Sequence, residues 1–210
     1  MKSEILHLLR HADGYVSGQQ LCETFGVSRT AVWKVINQLK EEGYVIDSVQ
    51  NKGYRITEYP DIITASEIES LLLDDSGNMQ GICRHIQYFD KTDSTNNQAK
   101  LAAEKNAPEG TLFVAECQTG GRGRRGKTWE SPAGSGIWMS LLLRPDISPE
   151  SASMLTLVLA VAMVDAINEE VQDAKCYVKW PNDIVLNNRK ISGTLTELSL
   201  IHISEPTRLA

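Results

Sequence analysis

Four glycines and four cations fall within eight residues at Gly120-Gly121-Arg122-Gly123-Arg124-Arg125-Gly126-Lys127. Glycine lets a backbone turn tightly and approach a ligand closely. Arginine and lysine in the same stretch supply charge-assisted donors for phosphate or carboxylate. In an acidic chain, such a loop calls for an anion. A second cation, Lys179, lies in the apolar stretch Cys176-Tyr177-Val178-Lys179-Trp180-Pro181-Asn182-Asp183. A lysine in such a strand is costly to bury unpaired, so Lys179 is expected to be sunken and to face an anion. A third cluster, Asp93-Ser94-Thr95-Asn96, falls at a strand-to-helix turn. One of these side chains is explained as a helix N-cap; three neighbouring ones also suit the polar head of a ligand. Taken alone, the basic loop fits a flexible surface segment or an RNA-binding Gly/Arg stretch equally well.

The elements around these residues follow from periodicity. Thr111-Leu112-Phe113-Val114-Ala115 before the loop and Gly136 to Leu143 after it read as buried strands. Arg84 to Asp90 reads as a strand leading into the Asp93 cluster, followed by a helix to about Asn106. Pro149 to Val171 reads as a buried helix with Met154, Leu155, Val158, Leu159, Ala162 and Met163 inward. The strand holding Lys179 pairs with Ile191 to Leu198 through a turn at Asn187-Asn188-Arg189-Lys190.

The first 58 residues form a separate unit. Ile5, Leu6, Leu8 and Leu9 mark an amphipathic helix ending near Gly14. Ser17 caps a second helix to Phe25, Gly26 turns the chain, and Ser28 caps a third helix from Arg29 to Glu42. Ala31, Val32, Val35, Ile36 and Leu39 share one face of the third helix; Arg29, Thr30, Trp33, Lys34 and Asn37 share the other. Two helices across a glycine turn read as helix-turn-helix, and the start of the second enters the major groove. Tyr44 to Ser48 and Gly53 to Thr57 then read as a hairpin, the wing. Ser28, Arg29, Thr30, Trp33, Lys34 and Asn37 are the DNA candidates on the helix, with Lys52 and Arg55 on the wing. Residues 1–60 carry seven basic and seven acidic side chains, so a protein-binding winged helix is the alternative.

At 210 residues the chain has room for one or two domains. Its net charge of −6 excludes a histone-like binder, so any nucleic-acid contact must be local. Cys22, Cys83, Cys117 and Cys176 have neither zinc spacing nor a compact disulfide pattern, and His7 and His11 lack a nearby third ligand, so no metal site is expected. Met1-Lys2-Ser3-Glu4 carries charge too early for a signal peptide, and the apolar run Met154 to Val164 is short for a bilayer. A cytoplasmic protein without membrane contact is expected.

The ordered set (winged helix, Asp93-Ser94-Thr95-Asn96, Gln118-Thr119-Gly120-Gly121-Arg122-Gly123-Arg124-Arg125-Gly126, then Lys179-Trp180-Pro181-Asn182-Asp183) resembles the bifunctional biotin protein ligases, also called biotin operon repressors. The resemblance implies an α+β chain: a winged helix-turn-helix joined to a class II synthetase-like mixed α/β catalytic domain. It implies activation of biotin with ATP and Mg2+ to biotinyl-5′-AMP. It further implies transfer to a lysine of biotin carboxyl carrier protein, and biotin-responsive repression by a ligand-induced homodimer on operator DNA. Carried over, Ser94, Thr95, Asn96 and Gln118 would meet biotin. Arg122, Gly123, Arg124 and Trp129 would close over biotin and the adenylate, and Lys179 would sit between carboxylate and α-phosphate. Arg124 and Lys179 are the expected catalytic cations.

The resulting division is a DNA-binding domain at 1–58, a linker at 59–66, a partial catalytic domain at 67–198 and a tail at 199–210. The tail does not resemble the family, which continues into a Gly-rich adenylate loop and a small SH3-like domain. The catalytic part therefore reads as incomplete. A ligand-sensing regulator that binds biotin without ligating it is the alternative, and a lipoate ligase of the same fold is a third reading.

Overall fold

The computed structural model describes residues 1–171 and 175–198. The tail at 199–210 lies outside the described residues.

Three helices open the chain: α1 (Lys2–His11), α2 (Gly18–Phe25) and α3 (Arg29–Glu41). The Ser17 hydroxyl accepts from the Gln20 N–H and the Ser28 hydroxyl from the Ala31 N–H, each satisfying an orphan donor of its helix. Gly26 closes α2 in the left-handed region at φ 63°. Ile5, Leu6, Leu9, Leu21, Val32, Val35, Ile36 and Leu39 bury together, with Tyr44, Ile46 and Ile56 closing the core from below. The hairpin β1 (Val45–Val49) and β2 (Gly53–Glu58) supplies the last two of these and forms the wing.

Gly53 is fixed by sterics. Its φ is +115°, and a Cβ there would stand 2.0 Å from the Val16 carbonyl oxygen, where the Val16 and Tyr54 backbones exchange two hydrogen bonds. Gly53→Ala adds left-handed strain to that overlap and is expected to cost about 3 kcal/mol. Thermal denaturation of the winged helix should show a loss of about 10 °C or more. An unchanged melting temperature would mean that the wing is free to move away.

Helix α4 (Ala65–Leu72), capped by Thr64, lies against α1. Arg10 reaches Glu67 at 2.6 Å, the Tyr44 hydroxyl donates to the same carboxylate, and the His7 Nδ1–H donates to the Ser70 carbonyl at 2.9 Å. The Arg10 guanidinium also lies over the Tyr59 ring, 4.6 Å from its centroid. Burial first, and then the bond to Glu67, push the Tyr44 hydroxyl far above its ordinary pKa.

Beyond α4, strand β3 (His85–Phe89) runs through α5 (Thr95–Glu104) into β4 (Thr111–Ala115), and the two strands pair in parallel. The crossover helix makes this pairing possible. All five residues of β4 are buried. Strand β5 (Trp138–Leu142) returns antiparallel on the other side of β4. It is only half-buried, with Met139 exposed, because it is the edge strand of this sheet. The expectation of two equally buried strands therefore fails at the second.

Helix α6 (Ala152–Glu170) leads to an antiparallel sheet, β6 (Tyr177–Lys179), β7 (Asp183–Leu186) and β8 (Arg189–Gly193). The inward face expected for α6 is not covered among the described residues: only Ala152 and Ala160 are buried, while Met154, Val158 and Leu159 are exposed. Pro149–Glu170 is long and apolar enough to cross a membrane by length and composition. Both of its ends are nevertheless tied to neighbouring chain, through Thr156 to Thr196 and through Asn168 to the Cys176 backbone. Together the elements make a helix-turn-helix unit followed by a mixed α/β unit.

Candidate functional site

The turn from β3 into α5 is built by a distant side chain. Ser94 stands at the N-cap position, almost wholly buried, and makes no side-chain cap bond. The Gln118 carbonyl oxygen instead accepts from the Thr95 N–H at 2.8 Å and its hydroxyl at 3.1 Å. The Gln118 amide nitrogen donates to Ser131 at 3.0 Å. Gln118 thereby joins the Asp93 cluster to the start of the basic loop and to its return strand. The Ser140 hydroxyl, from β5, bonds Thr95 at 2.8 Å and also bonds Asn96.

Glu197 is a member that sequence reasoning did not single out. It accepts from Asn96 at 2.9 Å and from Lys100 at 2.8 Å. Burial pushes its carboxyl up, but the bonds from Lys100 and Asn96 and the nearby charges of Lys100 and Arg122 outweigh it and hold the pKa low. Arg122 thus lies close enough to Glu197 for its charge to act on that carboxyl.

Asp93 accepts from Asn97 at 2.6 Å and from Gln98 at 2.9 Å, and these bonds hold its pKa at about 2. The value is depressed relative to the unfolded chain, so any stability it lends is present above about pH 4 and lost as pH falls towards 2. A carboxyl titration followed by NMR should find the Asp93 midpoint near 2. A midpoint near 4 would mean that Asn97 and Gln98 do not hold the carboxylate.

The loop itself is a small folded object. Gly121 accepts at its carbonyl from the Trp129 N–H at 2.8 Å, and Arg122 bridges Thr128. The tip is a tight turn in which Arg125 and Gly126 both have positive φ. Gly121 is buried, and a Cβ there would meet the Trp129 carbonyl oxygen at 2.2 Å and the Ser131 hydroxyl at 2.7 Å. Gln118, Gly121, Trp129 and Ser131 help line an open depression of ≈ 380 Å³.

Two contacts fasten the loop to the β6–β8 sheet. Arg124 donates to the Asn182 side-chain oxygen at 3.1 Å, and Asn182 is itself bonded to the Thr194 backbone. Lys190 lies 4.7 Å from the centroid of the Trp129 ring and 2.7 Å from the Asp183 carboxylate. An ammonium over an indole face is attracted by the ring quadrupole. The segment Lys179-Trp180-Pro181-Asn182-Asp183 thus meets the loop through Asn182 and not through Lys179, while Asp183 holds the Lys190 that packs on Trp129.

Lys179 is exposed, which corrects the expectation of a sunken ammonium. It ends a three-residue edge strand in which Val178 faces inward and Tyr177 and Lys179 face out. Lys190 was expected in the turn, yet it lies inside β8. The turn is only Asn187-Asn188, both at positive φ, so Arg189 and Lys190 already pair with β7. A two-residue Asn-Asn hairpin was the available signal.

On the winged helix, Ser28, Arg29, Thr30, Trp33 and Lys34 are exposed along α3, Asn37 is half-buried, and Lys52 and Arg55 are exposed on the wing. Arg29 donates to Gln19 at 3.1 Å and Arg55 pairs with Asp47 at 3.2 Å. Arg29, Lys52 and Asn51 help line an open groove of ≈ 490 Å³ between α3 and the wing.

Comparisons with known proteins identify the family. Residues 88–205 match the model of the biotin/lipoate A/B protein ligase family, and residues 2–55 match a helix-turn-helix domain model. The bifunctional ligase/repressor BirA of Bacillus subtilis is 43% identical over 199 residues, 94% of this chain and 59% of that protein. Its Escherichia coli counterpart is 35% identical over 93% of this chain and 57% of that protein. A solved biotin protein ligase from Aquifex aeolicus, in complex with biotin and ATP, aligns with a TM-score of 0.48 and 38% identity, covering 55% of this chain and 47% of that one. The chain thus spans rather more than half the length of these curated relatives. With its family model covering over half of its residues, the chain belongs to the biotin/lipoate A/B protein ligase family and carries a helix-turn-helix domain ahead of the ligase fold.

Proposed function

We propose that the protein activates biotin with MgATP to biotinyl-5′-AMP, transfers biotin to a lysine of biotin carboxyl carrier protein, and represses transcription through its winged helix. One observation carries this reading: the Gly/Arg loop, the Asp93 cluster and the β6–β8 sheet, far apart in sequence, meet around Gln118, Arg124 and Lys190. The relatives named as ligase/repressors support it.

In the proposed reaction a biotin carboxylate oxygen attacks the α-phosphorus. The bond from that phosphorus to the bridging oxygen breaks, and pyrophosphate leaves. Two anions must first be held together, and further charge develops as they react. Arg122, Arg124 and Lys190 are the cations assigned to hold them, with Lys190 taking the role first given to Lys179 and Lys179 kept at the rim. Cations fixed where charge develops are worth about 3 kcal/mol apiece. Ser94, Thr95 and Asn96 form the polar floor for biotin, with Gln118 fixing their backbone. Gly123 belongs to the loop that closes over biotin and the adenylate, and Trp129 covers the pocket. Magnesium would come with the phosphates of ATP and neutralise their charge; the nearby Asp183 is held by Lys190. In the second step a lysine amine of the carrier protein attacks the anhydride carbonyl and AMP departs.

The division into 1–58, 59–66 and 67–198, cytoplasmic location, operator DNA and a ligand-induced homodimer belong to the same proposal. Biotin-dependent exchange of pyrophosphate into ATP by the intact protein tests it. Biotin binding without exchange would instead make the protein a ligand-sensing regulator.

A further inference from the structure

Over residues 29–37, five side chains lie on the outer side of α3, and four of them are polar: Arg29, Thr30, Lys34 and Asn37. The fifth, Trp33, lies one turn after Arg29 and one turn before Asn37, and is 57% exposed. It adds nothing to the core, which α3 already closes with Val32, Val35, Ile36 and Leu39. Its surroundings say what can cover it. Arg29 and Lys34 flank it on the helix, and Lys52 stands across the groove on the wing, with Arg55 further along the wing beside Asp47. Of the nearby acids, Asp47 is paired with Arg55, Glu23 accepts from the Gln19 amide, and Glu41 lies two turns further along α3. A cationic frame around an apolar plate fits a polyanion with an apolar spot on its face, rather than an apolar protein surface.

In the major groove that spot has one chemical identity. Every base edge offers hydrogen-bond donors or acceptors, and thymine alone adds an apolar group, its C5 methyl. The carbon face of an indole set against any other edge strips water from polar atoms without replacing it, which is unfavourable. Resting on the operator-binding reading above, we infer that Trp33 is a specificity-determining residue that selects a thymine by its methyl group in each half-site. The cations then hold phosphates and set register without reading sequence.

The test uses the full chain with biotin and MgATP, first against a random duplex library. Each enriched T·A pair is then rebuilt with deoxyuridine, which lacks the methyl. One position per half-site should bind about fourfold more weakly as uracil, the worth of one buried methyl. That penalty should vanish in Trp33→Gln and survive in part in Trp33→Phe. If every uracil duplex binds as well as its thymine parent, or if the penalty persists in Trp33→Gln, the inference is overturned. It is also overturned if Trp33→Gln alters only the sedimentation of the protein, since Trp33 would then serve a protein interface. A library that yields no enriched sequence at any salt rejects the operator reading itself.

Discussion

Replacing Lys190 with alanine should lower biotin-dependent pyrophosphate exchange by about two to three orders of magnitude, the usual cost of losing one fixed donor to developing charge. The side chain is already poised, with its ammonium 2.7 Å from Asp183 and 4.7 Å from the centre of the Trp129 ring. Its position also depends on Gly193, where a Cβ would come within 2.8 Å of the Lys190 ammonium. Lys190→Arg keeps a cation beside both partners and should retain more exchange than alanine, though not all of it, because a planar guanidinium is not a point charge. The informative comparison is with Lys179→Ala. Lys179 is exposed and has no ion pair among the described residues, so its loss should cost less. If Lys179→Ala proved the more damaging of the two, the roles of these lysines would have to be exchanged.

The second large effect is expected at Gly121. A methyl group there would sit 2.2 Å from the Trp129 carbonyl oxygen, where the two strands of the loop pair. Gly121→Ala must push the Trp129 strand outward and shift the wall of the pocket. Displacing a positioning element by about 1 Å costs on the order of a hundredfold in rate, and biotin-dependent pyrophosphate exchange should fall accordingly. Gly126→Ala is the control. Its position has nothing within 4 Å of the added atom and suffers only from its φ of +73°, so its effect should be several-fold smaller. Equal exchange rates for wild type and Gly121→Ala would show that the pairing of Gly121 with Trp129 does not shape the pocket.

Much of this arrangement was legible before any coordinates, and the reason is local. Ser17, Gly26 and Ser28 carry capping and turn preferences that act within a few residues, so the helices around them were readable. The buried run Thr111 to Ala115 and the wing hairpin were readable from their period. The two cationic lysines were harder. Whether Lys179 faces in or out depends on which side of a three-residue edge strand is covered, and only tertiary packing decides that. Lys190 was hidden by a turn taken as four residues long when it is two. The role of Gln118 as the cap of a helix 23 residues earlier lies beyond any local pattern. The apolar character of α6 implied burial, but the described residues do not supply the neighbour that would provide it.

Helix α4 has a mechanical consequence. It is pinned to the winged helix through Arg10, Tyr44 and His7, and it also touches β3 of the ligase half. The segment between the two halves is therefore not slack rope but a strut. If two copies pair through their ligase halves, the strut fixes how far apart their reading helices stand. The spacing of an operator's half-sites would then be measured out by a rigid ruler.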